Sequence, residues 1–354
     1  MQPPRIEHLR RMTDSKGLIH AAMGDCPDRF SGYRALDNAD ALRLCAQVSD
    51  AVQGERVLPL ARVYFDYLWR SRSGDGRVHH ACDARGQWSS RQDDALVQSR
   101  LARALAAVIV SELPIGLRLK AADWWRELLV HAGRVHHAQS AANWLIAIGQ
   151  LGAADPGRDL QRARRLADWL VEECYRRIRR DGWEWFEPAW TSGGACIPQG
   201  LWHASAMLDE PAYARIAEES TRFLVEHFFE GDLLVPPGVG GSWSRTSSKP
   251  LHDQLPSDAA AMTELLCAAE RIGAWADAGR LAELAARWFA GNNEQGAVLI
   301  DTGTGACADR LGPAGAASDR GGSAAVAYLL AEAARAVRAA QAAEPPVYLV
   351  PING

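Results

Sequence analysis

The chain has 354 residues, with 39 Lys and Arg against 43 Asp and Glu, a formal charge of -4 and 48% hydrophobic residues. Such totals describe a globular protein long enough to bury a large core. The slightly acidic balance, locally basic only at 176–180, argues against nucleic acid as the partner; no apolar run nears the roughly 18 residues that span a bilayer, and 1–17 carry no apolar signal segment, so a cytoplasmic location is expected.

Apolar residues at helical spacing predict helices over 38–48, 55–70, 93–110, 117–130, 139–151 and 160–179, then 194–207, 211–229, 257–272, 274–289 and 322–342. The connectors are rich in Gly, Ser, Asp and Trp. Helices starting near Asp37, Asp93, Gln139, Gly194, Asp258 and Asp319 are poor in charge and rich in small residues, as in AAAMTELLCAAE, and read as buried all round. The helices between them, such as RDLQRARRLADWLVEECYRRIRR, have one wet face. Six such hairpins, recurring roughly every 45 to 65 residues, predict an all-α fold, an (α/α)6 toroid with six buried inner helices and six charged outer ones. It is expected as one domain over 1–342, with first and last hairpins that can be incomplete, followed by an apolar tail at 343–354. The alternative is an α-solenoid, whose repeat length would be more constant. Seven cysteines without a CxxC pair fit reduced, buried thiols rather than disulfides or a zinc site.

In a toroid the connectors entering the inner helices converge on one mouth, and here they bring carboxylates and tryptophans. Asp37 and Asn38, Asp94, Glu184 and Glu187, His252, Asp253 and Gln254, Asp258 and Asp301 all lie in or beside them. Each Asp has the plainer role of N-cap, most clearly Asp37, Asp93 and Asp319. Glu184 and Glu187 sit in WEWFEPAW, where indole faces desolvate a carboxyl and favour its neutral form, as in a general acid. The plainer role of that segment is to plug the core. Aromatic faces suit the C–H faces of sugars, and Asp, Glu, Asn and Gln suit their hydroxyls, although Trp also simply fills space. Paired carboxylates are the usual equipment of glycoside hydrolysis. Neither His79-His80 nor His136-His137 has helical zinc spacing, and GxSxG and GxGxxG are absent, so no metal or other cofactor is expected.

Several segments together resemble a bacterial family of (α/α)6-barrel, glycosidase-like domains often fused to, or encoded near, glycosyltransferases. They are Thr13-Asp14 with GLIH at 17–20, Gly32-Tyr33 leading to Asp37-Asn38, 183–187, Pro198-Gln199, Asp253-Gln254 with Pro256, and Asp301 with Thr304-Gly305. The resemblance runs from about 12 to about 335. It implies the toroid, a carbohydrate context and a possible glycosyltransferase partner. The chain departs from the family at Leu36, where an acid is usual, at Asp40 in place of Arg, at Asp258 in place of Glu, and at Arg320 and Ser323 in place of Gln and Glu.

The resulting expectation is a carbohydrate-active enzyme, a glycoside hydrolase acting on an oligosaccharide or glycoconjugate. Glu187 is the general acid, Asp258 the base or nucleophile, and Glu184 a further catalytic carboxylate. Asp14, Tyr33, Asp37, Asn38, Asp94, Gln199, His252, Asp253, Gln254 and Asp301 hold hydroxyls, while Trp183, Trp185 and Trp243 stack on sugar rings. A second hypothesis is a sugar epimerase or isomerase with His203 or His252 as base. A third is a non-catalytic glycan-binding domain that assists a glycosyltransferase.

Overall fold

The computed structural model describes residues 5–49, 54–89, 94–152, 160–272 and 275–343. Asp93, the start of the helix predicted from 274, and the tail beyond 343 lie outside them.

The chain enters through α1 (Glu7–Arg11) and an antiparallel hairpin of β1 (Ile19–Met23) and β2 (Cys26–Arg34). Inner and outer helices then alternate: α2 (Ala35–Gln47) inside, α3 (Gly54–Arg70) outside and, after β3 (Ala81–Cys82), α4 (Ala95–Val110) inside and α5 (Ile115–Leu128) outside. Inner α6 (Ala138–Gly152) is followed by outer α7 (Leu160–Trp169), which passes through a π-helical turn at Leu170–Tyr175 into α8 (Arg176–Ile178). Inner α9 (Cys196–Leu208) and outer α10 (Pro211–Phe228) precede the hairpin of β4 (Phe229–Glu230) and β5 (Leu233–Leu234). Inner α11 (Pro256–Ile272) and outer α12 (Ala278–Arg287) precede two further hairpins, β6 (Ile300–Asp301) with β7 (Ala306–Cys307) and β8 (Leu311–Gly312) with β9 (Gly315–Ala316), and inner α13 (Gly322–Ala343) comes last.

Each inner helix packs on the next, and α13 packs on α2, which closes the ring. The fold is the predicted (α/α)6 toroid. Its sixth outer position is short: the helix there, α1, has five residues and packs beside α13. Small residues let the inner helices approach closely: a Cβ built on Gly200 of α9 would lie 2.7 Å from Cα of Ala142 on α6. The outer helices are amphipathic as predicted. In α12, Leu281, Ala282, Leu284 and Ala285 face inward while Arg280 and Arg287 point out.

The short strands went unpredicted. They tie down the connectors: β2 pairs with β3 through Tyr33 and Cys82, which brings backbones so close that Gly32, at φ +74°, has no room for a Cβ against the Cys82 carbonyl. Among the described residues no helix is long and apolar enough to cross a membrane.

Candidate functional site at the N-terminal mouth of the ring

The inner helices run parallel, so their N-terminal ends meet at one mouth. An axial cavity of about 80 Å³ opens there between α2, α4, α9, α11 and α13, with polar walls from Asp37, Asp40, Arg100, Ser257 and Ser323. Its floor is a layer of buried charge. Arg43 Nη1 donates to Glu264 Oε1 (2.7 Å), and Arg103 Nη2 to Glu264 Oε2 (3.0 Å) and Nη1 to Asn143 Oδ1 (3.2 Å). Above it Arg100 Nη1 donates to Asp40 Oδ2 (2.9 Å). Burial alone would raise the Glu264 pKa, but the two guanidiniums hold it down at about 2. Sequence reasoning passed over this layer. The signal was present as a single Arg or Glu inside helices that read as buried all round, since a buried charge requires a partner.

Asp37, cap-like in the sequence, caps nothing. The N-cap position of α2 is Arg34, and the Asp37 carboxylate instead reaches His20 on β1, with Oδ2 2.8 Å from Nδ1. This holds an imidazole on the carboxylate of Asp37, which itself lines the axial cavity. Asp94 does cap its helix: Oδ1 accepts from the backbone N–H of Leu96 (3.0 Å) and Val97 (3.3 Å) on α4, and Oδ2 lies 3.1 Å from His80 Nδ1.

Two of the three predicted catalytic acids contact the same loop, 188–195: Glu187 through the Thr191 hydroxyl, and Asp258 through Ser192 and Gly193. Asp258, 1% exposed in the first turn of α11, accepts from Gly193 N–H (2.6 Å) and Ser192 Oγ (2.9 Å). Burial pushes its pKa up to about 6 against those two hydrogen bonds. Glu187 is half-buried, its Oε2 lacks a hydrogen-bond partner, and burial raises its pKa although His137 and the Thr191 hydroxyl pull the other way. Trp183 Nε1 donates to the Glu187 carbonyl (2.9 Å) and fixes its backbone. Glu184 stands apart, with Oε1 accepting from Gly182 N–H (3.1 Å) within its own turn.

The tryptophans correct the expectation of sugar-stacking platforms. Trp183, Trp185 and Trp243 are buried with Phe223 and Phe228 and pack against the partly buried Trp190, and Trp185 is 0% exposed. Trp243 stacks on Phe223 with centroids 5.7 Å apart and planes 3° from parallel, and its edge meets Trp183 at 5.0 Å. Their faces are occupied by one another, so WEWFEPAW plugs the core and holds Glu187 at its edge.

Several predicted binding residues spend their polar atoms on the fold. Tyr33 Oη donates to Asp14 Oδ2 (2.8 Å), and the fully buried Asn38 accepts from Leu18 N–H (2.9 Å), so both pairs anchor the β1–β2 region. Gln254 accepts from Trp288 Nε1 (3.1 Å) and donates to Glu294 (2.7 Å). Asp253 has φ +61° with Arg310 Nε 3.2 Å away, His252 is exposed, and Asp301 closes its own turn through Gly303 N–H (2.8 Å) and the Thr304 hydroxyl (3.0 Å). Gln199 and His203 lie on the far side of the charged layer.

Fold and mouth together define an (α/α)6 toroid with an acid-lined axial pocket. No protein-family model and no curated protein matches the sequence. Solved structures do share the fold: a sugar epimerase from a ruminal bacterium (12% identity, 94% of this chain and 95% of that one, TM-score 0.71) and D-mannose isomerase (11%, 95% and 96%, 0.69). A third is the α-1,6-mannanase from Salegentibacter sp. (12%, 94% and 96%, 0.65).

Proposed function

We propose that this chain is a carbohydrate-active enzyme working at the N-terminal mouth, a glycoside hydrolase acting on an oligosaccharide or glycoconjugate. The observation that carries this reading is that two up-shifted carboxyl groups contact one loop at the mouth, 188–195: Glu187, with an unpartnered oxygen, through Thr191, and Asp258, at about 6, through Ser192 and Gly193. Glu187, favoured in its neutral form, protonates the glycosidic oxygen. Asp258, ionised above about 6, serves as base or nucleophile. The Asp40–Arg100 pair and the serines of the cavity wall hold sugar hydroxyls.

The His20–Asp37 pair favours a second reading, a sugar epimerase or isomerase. An imidazole held by a carboxylate of the cavity wall is a candidate to take a proton from a sugar carbon, and two of the structural neighbours are named as such enzymes. His20 replaces His203 and His252 as the base in this reading. All seven cysteines are free and six are buried, which supports a reducing, cytoplasmic setting; a glycosyltransferase partner would be sought there by co-purification.

The test is product analysis in D2O over α- and β-linked gluco-, manno- and galacto-oligosaccharides. New reducing ends that vanish in Glu187→Gln and Asp258→Asn support hydrolysis. Unchanged chain length with carbon-bound deuterium that vanishes in His20→Ala selects the isomerase, and saturable binding without turnover selects a glycan-binding domain.

A further inference from the structure

At the opposite mouth the C-terminal ends of all six inner helices surround a cavity of about 800 Å³. It narrows inward to a chamber of about 100 Å³ that ends on the charged layer of Arg43, Arg103 and Glu264, and Gln47, Gln150, His203 and Arg271 line both spaces. This mouth has unmet hydrogen-bonding capacity. Among the described residues nothing partners the buried side-chain oxygens of Gln47, Gln150 and Gln199, and Gln199 is only 7% exposed. A buried acceptor without a donor is destabilising, so three in one chamber suit a ligand that brings donors.

Charge narrows the ligand class. Arg43, Arg103, Arg271 and Arg338 line the chamber against the single carboxylate of Glu264; Arg338 is committed to Glu270 and Glu283, and among the described residues no carboxylate pairs with Arg271. Among the described residues the Nε atoms of Arg43 and Arg103 make no hydrogen bond, although Asp40 Oδ1 lies 3.6 Å from Arg43 Nε. The outer walls are apolar, with Ala46, Ala107, Met207 and Val337. We infer that this mouth is a second ligand site, for a polyhydroxylated molecule carrying one anionic group, a sugar phosphate or sugar acid. Its hydroxyls donate to the glutamine oxygens, its anion meets Arg271 and the excess arginine charge, and its C–H face lies on the apolar wall. The charged layer separates it from the mouth where we place the chemistry.

Isothermal titration of the intact protein with glucose 6-phosphate, glucuronate, glucose and inorganic phosphate tests the site. One of the first two is expected to bind at least tenfold more tightly than glucose or phosphate alone, with its chemistry naming the anion. Arg271→Gln, an exposed position that leaves the core intact, and Gln150→Leu each weaken that binding at least tenfold, while Asp37→Asn at the other mouth leaves it unchanged. Equal binding of glucose or of phosphate alone, no binding of any of the four, or loss through Asp37→Asn rather than Arg271→Gln overturns the inference.

Discussion

Replacing Glu264 by Gln removes the one carboxylate that Arg43 and Arg103 share on the ring axis, with almost no change in shape. Both guanidiniums are 2% exposed, and what remains nearby is Asp40, 3.6 Å from Arg43 Nε. Stripping one partner from a buried ion pair costs about 3–5 kcal/mol because the surviving charge stays out of water. With unfolding entropy of about 2 cal/mol/K per residue, that loss lowers the melting temperature by about 4–7 °C. The triple variant Arg43→Met, Arg103→Met, Glu264→Leu removes every charge of the layer together and is expected to recover most of it. The effect depends on pH in a fixed direction. Arginine holds the folded-state pKa of Glu264 near 2, so its contribution is complete above the unfolded value of about 4.3 and is lost as pH falls toward 2. Thermal unfolding followed by circular dichroism between pH 7 and pH 2 measures both. A wild-type melting temperature in Glu264→Gln, or a deficit that does not shrink below pH 4, refutes this account of the layer.

Activity in the proposed hydrolysis is expected to rise with pH through about 6 as Asp258 ionises, and a kcat/KM profile of Asp258→Asn should lose that limb along with most of its rate. Gly200→Ala drives a methyl against the backbone of Ala142, costing about 1–3 kcal/mol in denaturant unfolding, whereas Gly116→Ala, with open space around it, stays within about 0.5 kcal/mol. Trp185→Ala should cost about 3–5 kcal/mol of stability, and Trp185→Phe should leave KM for any cleaved sugar within about twofold, because the indole is core rather than platform. A tenfold rise in KM for Trp185→Phe would return it to the binding site.

What the sequence revealed follows from how far each interaction reaches along the chain. Inner and outer helices were legible because a helix buried all round, such as 257–272, differs in composition from one with a wet face, such as 211–229. Helical periodicity also placed α2, α4 and α9 within a few residues. The WEWFEPAW segment was legible as something unusual, but its two roles were not separable, since composition does not say whether an indole face meets a sugar or Phe223. The Glu264 layer escaped because it joins elements remote in the chain, the His20–Asp37 pair because it joins a strand that went unpredicted to a helix, and a two-residue strand such as β3 is too short to carry a pattern.

Ring closure has a kinetic side. The contact of α13 with α2 joins segments nearly 290 residues apart. Until that last helix docks, the molecule is an open arc whose two ends, α2 and α11, each show a bare apolar flank. The final helix is therefore a keystone: on topology its seating is expected to be the slow, long-range step, and an arc waiting for it the species most exposed to sticking to another arc.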